Sequence, residues 1–222
     1  TNRISKVATY TIDANGRITK ISDALANDTE FEYDSTSWET TAIYGPKIPV
    51  SGTPWSRHKT ILTYGTVDDT HELAKKEVKK ITNTDSTGTL LAKEEWTYNS
   101  LHDMLTYKNP LDKITTYTYK LDGGSNSIGS VETIVNALSQ TILTNTYATS
   151  TDKYRLTKTK NGVNKETNFA YNQNTANSYG VPDKITTPLG NITNYKVDVR
   201  GRRYEETGPS GNTVKYDFDS ID

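Results

Sequence analysis

"VDVRGRRYEETGPSGNTVKYDFD", residues 197–219, decides how the rest of the chain is read. Two turn signals lie ten residues apart in it, Asp198-Val199-Arg200-Gly201 and Gly208-Pro209-Ser210-Gly211. Short segments rich in Tyr, Thr and charge run between and after them. Two other stretches overlay on it without gaps: "IDANGRITKISDALANDTEFEYD" (12–34) and "YNSLHDMLTYKNPLDKITTYTYK" (98–120). Strand-end anchors recur 21 residues apart in each, at Ile12 and Tyr33, Tyr98 and Tyr119, Val197 and Phe218. An Asp or Asn follows the first anchor every time (Asp13, Asn99, Asp198), and Ala24, Pro110 and Pro209 precede the closing anchor by nine. Pro188 precedes Val197 by the same nine. A fixed internal period marks a repeat protein, in which one supersecondary unit stacks on the next.

Composition agrees with repeats built from strands. Leu, Ile, Val and Phe make up only 42 of the 222 residues, and mean hydropathy is -0.74. A chain that poor in aliphatics is disordered when it also carries high net charge and few aromatics. Here the formal net charge is -1, and 15 Tyr and 37 Thr replace the missing aliphatics. Tyr and Thr suit a pleated, half-wet surface. The near-zero charge leaves no electrostatic footprint for nucleic acid or for an anionic membrane. The sequence holds no apolar run near the roughly 18 residues of a membrane span and no signal peptide. With zero Cys it has no disulfides and no thiolate metal site.

The unit follows from turn chemistry. In Asp13-Ala14-Asn15-Gly16 the Asp side chain accepts a backbone N–H two residues on, and the Gly supplies the φ > 0 of a type I turn followed by a bulge. Asp198 to Gly201 repeats this spacing, and so does Asp85-Ser86-Thr87-Gly88. A second turn type places Pro where φ near -65° is wanted, as in Thr187-Pro188-Leu189-Gly190. Between turns, alternate positions are aromatic or aliphatic: Thr29/Phe31/Tyr33, Thr115/Tyr117/Tyr119, Val214/Tyr216/Phe218. Period-2 alternation predicts a Tyr-rich face and a Lys/Asp/Thr face. Tyr117, Tyr119, Tyr216 and Phe218 are therefore expected to be more buried than Thr116, Thr118, Lys215 and Asp217.

The fold class this predicts is all-β: antiparallel hairpin repeats of about 21 residues forming a continuous spiralling sheet. Anchors are placed at Ile12, Tyr33, Tyr64, Thr84, Tyr98, Tyr119, Tyr147, Tyr171, Val197 and Phe218. Residues 1–222 read as one repeat segment, with clear repeats over about 7–34 and 84–222 and diverged copies over about 35–83. In the diverged part "YGPKIPVSGTPW" reads as a long Pro/Gly loop. For "DDTHELAKKEVKKI" a short helix (Asp69 and Glu72 as a capping box, Ala74/Val78/Ile81 at helical spacing) competes with a strand feeding the Asp85 turn, and the strand is preferred. Thr1 falls in mid-strand and "YDFDSID" stops inside a turn, so a fragment of a longer array is expected.

The frame Y-x-Y-D-x-x-G-R with P-x-G-N-x-x-x-Y-x-Y resembles the YD repeat of the Rhs (rearrangement hot spot) family. That family is similar to the shells of bacterial insecticidal toxin complexes, to wall-associated bacterial toxins and to teneurins. The motifs that carry the resemblance are "DANGR", "VRGRR", "PLGNITNYKVD" and "PSGNTVKYDFD". The resemblance implies a β-sheet spiralling into a hollow cocoon around a C-terminal toxin or other passenger. It implies a secreted or bacterial cell-surface location. The partners it implies are the remaining repeats of the same polypeptide and the enclosed passenger, with carbohydrate or a cell-surface receptor as further candidates. The family's self-cleaving core segment and variable toxin domain have no counterpart in these residues. The alternative reading is a repeat-built adhesin or glycan-binding module.

No catalytic constellation emerges, and neither an enzyme nor a cofactor is expected. His58, His71 and His102 lack ligand partners at metal-binding spacing. Glu94/Glu95 and Glu205/Glu206 are adjacent pairs whose members point to opposite strand faces, while Glu30/Glu32 share a face beside Phe31 and Tyr33. "AKKEVKK" reads as a solvated charge run. Asp68-Asp69 lacks the oxygen spacing of a calcium loop. The Tyr ladder suits sugar stacking, but its period is that of cross-strand packing, which is the preferred reading.

Overall fold

The computed structural model describes residues 8–65, 71–123, 127–149, 154–171, 181–198 and 200–218. Every regular element among them is a β-strand, and each strand pairing whose register is defined below is antiparallel. Two compact units divide the chain, Thr1–Ile114 and Thr115–Asp222. The first contains β1 (Thr9–Ile12), β2 (Ile18–Ser22), β3 (Asp28–Tyr33), β4 (Thr40–Tyr44), β5 (Ile48–Val50), β6 (Thr53–Tyr64), β7 (Leu73–Thr82), β8 (Thr89–Tyr98) and β9 (Met104–Lys108). These form a meander in which each strand pairs with the next, except that β4 pairs directly with β6 and β5 folds back on β6 as a short arm. The second unit begins within β10 (Ile114–Leu121) and continues through β11 (Ser127–Val135), β12 (Thr141–Tyr147), β13 (Leu156–Asn161) and β14 (Glu166–Ala170). It ends with β15 (Lys184–Thr186), β16 (Ile192–Val197), β17 (Arg203–Thr207) and β18 (Thr213–Lys215). It too is a meander of sequential neighbours.

Among the described residues one five-residue turn is found nine times: 13–17, 23–27, 99–103, 109–113, 136–140, 161–165, 187–191, 198–202 and 208–212. In each, the first N–H donates to the fifth carbonyl and the fourth N–H donates to the first carbonyl, at 2.9–3.1 Å. The fourth residue is left-handed in every copy, with φ from 58° at Asp112 to 82° at Gly16 and Gly201. Gly fills that position four times, and Ala26, His102, Asp112, Ser139 and Asn164 fill it otherwise. Seven copies begin with Asp or Asn, whose Oδ1 accepts the N–H groups of the third and fifth residues, as Asn161 does from Val163 (3.1 Å) and Lys165 (2.9 Å). The short polar side chain thus closes the turn from inside. Thr187 and Gly208 begin the other two turns, each followed by Pro, and Thr187 Oγ1 is buried with no hydrogen-bond partner.

The strand-end anchors also have a common structure. At Ile12, Tyr33, Tyr64, Tyr98, Tyr119, Tyr147 and Val197 the pairing register to the following strand shifts by one residue, a β-bulge. Among the described residues five anchor tyrosines reach backwards, four of them from such a bulge. The hydroxyls of Tyr33, Tyr64, Tyr98, Tyr147 and Tyr171 donate to the carbonyls of Ile18, Thr40, Leu73, Val131 and Leu156 on the preceding strand. Half-burial of Tyr64, Tyr98, Tyr147 and Tyr171 raises their phenol pKa above the usual value. Each such Tyr therefore bolts its strand to the one before, while the Asp or Asn that follows Tyr33 and Tyr98 opens the next turn.

Little is buried. Among the described residues only Ala42, Ile81 and Ser56 are buried, all in the first unit. Alternation is clear in β10, where Tyr117 and Tyr119 are half-buried and Thr116 and Thr118 exposed, and in β16. At the last described strand it is weaker, with Tyr216 45% exposed against 73% for the Lys215 side chain. Val214, Lys215, Tyr216, Asp217 and Phe218 are all exposed, because β18 pairs only with β17 and no described strand follows it.

Three expectations need correction. The Pro/Gly stretch at 44–55 is not a long loop but the β5 arm and the start of β6. Pro49 is tolerated in β5 because only β6 pairs with that strand, and Pro is confined to such edges. Thr84 is no strand anchor, for it lies in the six-residue turn 83–88. In that turn Asp85 Oδ1 accepts from Thr87 and Gly88, and closure comes from Thr82 N–H to Asp85 carbonyl, so it is not a copy of the Asp13 turn. The strand preferred over a helix near residue 75 is β7. Its ladders to β6 and β8 outweigh the helical spacing of Ala74, Val78 and Ile81.

Candidate functional surface

The D-x-x-G-R motif is a structural clamp. Arg17 Nε donates to Asp13 Oδ2 at 2.7 Å, and Arg202 Nε to Asp198 Oδ2 at 2.8 Å. The backbone N–H of the same arginine is the main reason each Asp carboxyl lies below its ordinary pKa. The guanidinium then covers the aromatic ring sixteen residues ahead: Arg17 over Tyr33 at 4.8 Å and Arg202 over Phe218 at 4.4 Å. Arg155 covers Tyr171 at the same interval. Charge is used here to seat an anchor ring.

The first unit has a concavity of about 360 Å³ lined by Glu30, Glu32, Tyr44, Trp55, Arg57 and Lys59, among others. Strand pairing sets Glu30 beside Tyr44 and Tyr44 beside Lys59, which brings these side chains to one face. Arg57 Nη1 donates to Glu30 Oε2 at 2.7 Å, and the Tyr44 hydroxyl donates to Glu32 Oε1 at 2.8 Å. Arg57 and Lys59 both lie over the Tyr44 ring, at 4.4 and 4.8 Å. Lys47 and Arg57 both lie over Trp55. Each ring already carries two cations and both carboxylates are engaged. Sequence reading missed this site by assigning Trp55 to the end of a loop and singling out neither Trp55 nor Arg57, although Trp55, Arg57, Lys59 and Ile61 alternate with period 2.

The other candidate groups are dispersed. His58 is exposed on β6. His71 Nδ1 meets Glu39 at 2.9 Å, and His102, in a turn, pairs with Glu72. Glu94 faces Tyr107 and Lys76, whose hydrogen bonds lower its pKa in that order, while Glu95 faces Lys93 and Lys108 on the other side of β8. Glu205 is paired with Lys196, its main pKa-lowering partner. In the "AKKEVKK" run, Lys75 pairs with Glu77 and Lys76 with Glu94. Asp68 and Asp69 lie outside the described residues. Among the described residues no three His, Asp or Glu side chains converge to hold a metal ion, and no helix is long and apolar enough to cross a membrane.

No family model matches the chain, and no curated protein matches it by sequence. Solved structures are similar at low identity. The crystal structure of TcdB2-TccC3-Cdc42 is 14% identical, with a TM-score of 0.47 over 90% of this chain and 11% of that one. The Photorhabdus luminescens Tc holotoxin pore is 12% identical, with a TM-score of 0.45 over 90% and 11%. The crystal structure of TcdB2-TccC3 is 13% identical, with a TM-score of 0.46 over 90% and 12%. The chain thus spans about a ninth of the length of the chains it matches.

Proposed function

We propose that the chain is a stretch of wall in a YD-repeat shell, a structural element that encloses a C-terminal toxin or other passenger, in a secreted or surface-exposed bacterial protein. The observation that carries this reading is a sheet held together almost without burial. Turns, bulges, tyrosine bolts and Arg–aromatic clamps recur along the chain, and only three described side chains are buried. A compact domain normally covers its sheet with a second layer. A wall has a passenger on one side and water on the other.

The test is protease protection in the natural polypeptide. Segments beyond the repeats should resist cleavage until the repeats are unfolded, and should then be cut at once. Prompt cleavage with the repeats intact would overturn the reading. So would a turnover activity of the purified chain that is lost on replacing one His or Glu. The adhesin alternative draws on the Tyr44 and Trp55 concavity. Glycan binding abolished by Trp55→Ala would favour it over the shell.

A further inference from the structure

Asn-Gly occurs twice in the sequence, at 15–16 and 161–162. In this dipeptide the asparagine amide is open to attack by the next backbone nitrogen, since Gly sets no side chain in the way. The fold treats the two copies differently. Asn161 opens its turn, and its Oδ1 accepts from Val163 at 3.1 Å and Lys165 at 2.9 Å. Asn99, Asn109 and Asn136 are tied down by the same pair of bonds. Gly162 is also hemmed in: a Cβ built on it would lie 3.2 Å from Ile142 Cα and 3.4 Å from the Thr141 carbonyl of β12. Asn15 stands third in its turn, where Asp13 does the capping. Its backbone N–H donates to Asp13 Oδ1 at 2.9 Å, but among the described residues its side-chain amide has no hydrogen-bond partner. The residue is exposed, and a Cβ on Gly16 would meet nothing within 4 Å. All four residues of β1, which delivers this turn, are exposed too, and segments with little buried contact open locally with ease.

We infer that Asn15 is a site of spontaneous deamidation, and that its conversion loosens the Asp13–Arg17 clamp. The Gly16 nitrogen gives its proton to hydroxide and attacks Asn15 Cγ. The new N–C bond closes a succinimide ring as the Cγ–Nδ2 bond breaks, and the released nitrogen takes a proton from water and leaves as ammonia. Water then opens the ring at either carbonyl, to aspartate or isoaspartate. Nothing is oxidised or reduced. Attack at Asn15 requires release of one bond, from the Gly16 N–H to the Asp13 carbonyl at 3.1 Å. Attack at Asn161 requires release of its two Oδ1 bonds and movement of the crowded Gly162. Each bond that must open slows the step about fivefold, so Asn15 leads by at least that factor. In isoaspartate the main chain runs through the former side-chain methylene, which lengthens the path from Asp13 to Arg17. The Arg17 Nε bond to Asp13 Oδ2 at 2.7 Å and the seat of Arg17 over Tyr33 both depend on the original spacing. The inference concerns this turn alone and holds or fails separately from the shell reading.

The experiment is peptide mapping by mass spectrometry on the full folded chain aged in mildly alkaline buffer, beside the same chain unfolded in guanidinium chloride. Trypsin places the two sites on separate peptides, 7–17 and 161–165. Unfolded, both should deamidate at a similar rate, because the following Gly is common to both. Folded, residue 15 should lead residue 161 by about fivefold or more, with isoaspartate detected by isoaspartyl methyltransferase labelling. Aged wild type should melt lower than fresh wild type, whereas aged Asn15→Ser should melt as it did when fresh. The inference is overturned if residue 161 keeps pace with residue 15 in the folded chain, or if residue 15 is converted only in the unfolded one. Aged wild type that is converted at residue 15 yet melts like the fresh chain overturns the loosening of the clamp. Should Asn15→Ser misfold, the folded-against-unfolded comparison of wild type decides.

Discussion

Thr187→Asn should stabilise the second unit. The turn that Thr187 opens, "TPLGN", is nearly the "NPLDK" turn at 109–113, where Asn109 Oδ1 accepts from Leu111 at 2.9 Å and Lys113 at 3.1 Å. Thr187 makes neither bond, and its hydroxyl is buried without a partner. Substitution by Asn adds two side chain–backbone bonds at a net of about 0.5–1.5 kcal/mol each. Ordering the Asn side chain offsets about 1 kcal/mol of that on rotamer-entropy scales, so the gain at the midpoint of the range is ~1 kcal/mol. For a chain of this size that is an upward shift of about 2–4 °C in Tm. The reciprocal substitution Asn161→Thr, in the same unit, should lower Tm by a similar amount, because the bonds to Val163 and Lys165 are lost. Thermal and urea melts of the two variants make the comparison. If Thr187→Asn leaves Tm unchanged while Asn161→Thr lowers it, the nine turns are not equivalent and the reasoning fails.

Gly16→Ala, Gly190→Ala and Gly211→Ala should each cost about 1–2 kcal/mol, the penalty of left-handed backbone alone, because an added Cβ meets nothing within 4 Å at any of them. Gly88→Ala should cost more, by about 1–3 kcal/mol of overpacking, since its Cβ would lie 2.5 Å from Ile81 Cγ2 and 2.8 Å from the Lys80 carbonyl; equal melts for all four would contradict this. Tyr98→Phe should cost about 0.5–1.5 kcal/mol in urea melts, the worth of one hydrogen bond, as the bolt to Leu73 is removed while the ring stays. Acid should unfold the chain through its turn carboxylates. Asp13, Asp85 and Asp198 have depressed folded pKa values, so their contribution is complete above the unfolded value near 3.9 and is lost as pH falls through the folded values. Tm should therefore hold from pH 7 to about 5 and drop below about 4, and Asp198→Asn should reduce the drop; a decline between pH 7 and 5 would point to other groups.

The repeat, the all-β class and most turns were legible because their determinants are local. An Asp or Asn that caps its own turn and a left-handed residue three positions on leave a spacing that survives in sequence. The anchors were legible as a 21-residue interval, but their mechanism was not. That Tyr98 donates to Leu73 depends on a bulge and on strand order, and neither leaves a local trace. Turns such as 136–140 and 161–165 were harder to see. Ser139 and Asn164 stand where Gly was sought, and other residues adopt that conformation when two turn hydrogen bonds hold it. The Asp85 turn shows the opposite error, where the right residues at the right spacing close a different loop.

The β5 arm shows what this kind of stability permits. Tyr33 and Tyr64 are 31 residues apart rather than 21, and the surplus ten are largely β5 and its flanking turns. The ladder nevertheless re-closes across the insertion, with Ala42 opposite Ile61 and Tyr44 opposite Lys59, and the Tyr64 hydroxyl still finds Thr40 on β4. In a layered domain ten residues entering between two core strands would disturb a shared interior. Here each strand answers only to its two neighbours and to the turn that delivers it, as in other repeat arrays whose stability is a sum of nearest-neighbour contacts. The insertion therefore projects from a turn position and leaves the bolts on either side intact. It carries Pro49 and sits beside Trp55 and Arg57, so the departure from the 21-residue period is also where the first unit's aromatic concavity was added. In such a sheet new surface chemistry arises where the period is broken, because the period itself is fully occupied with holding strand to strand.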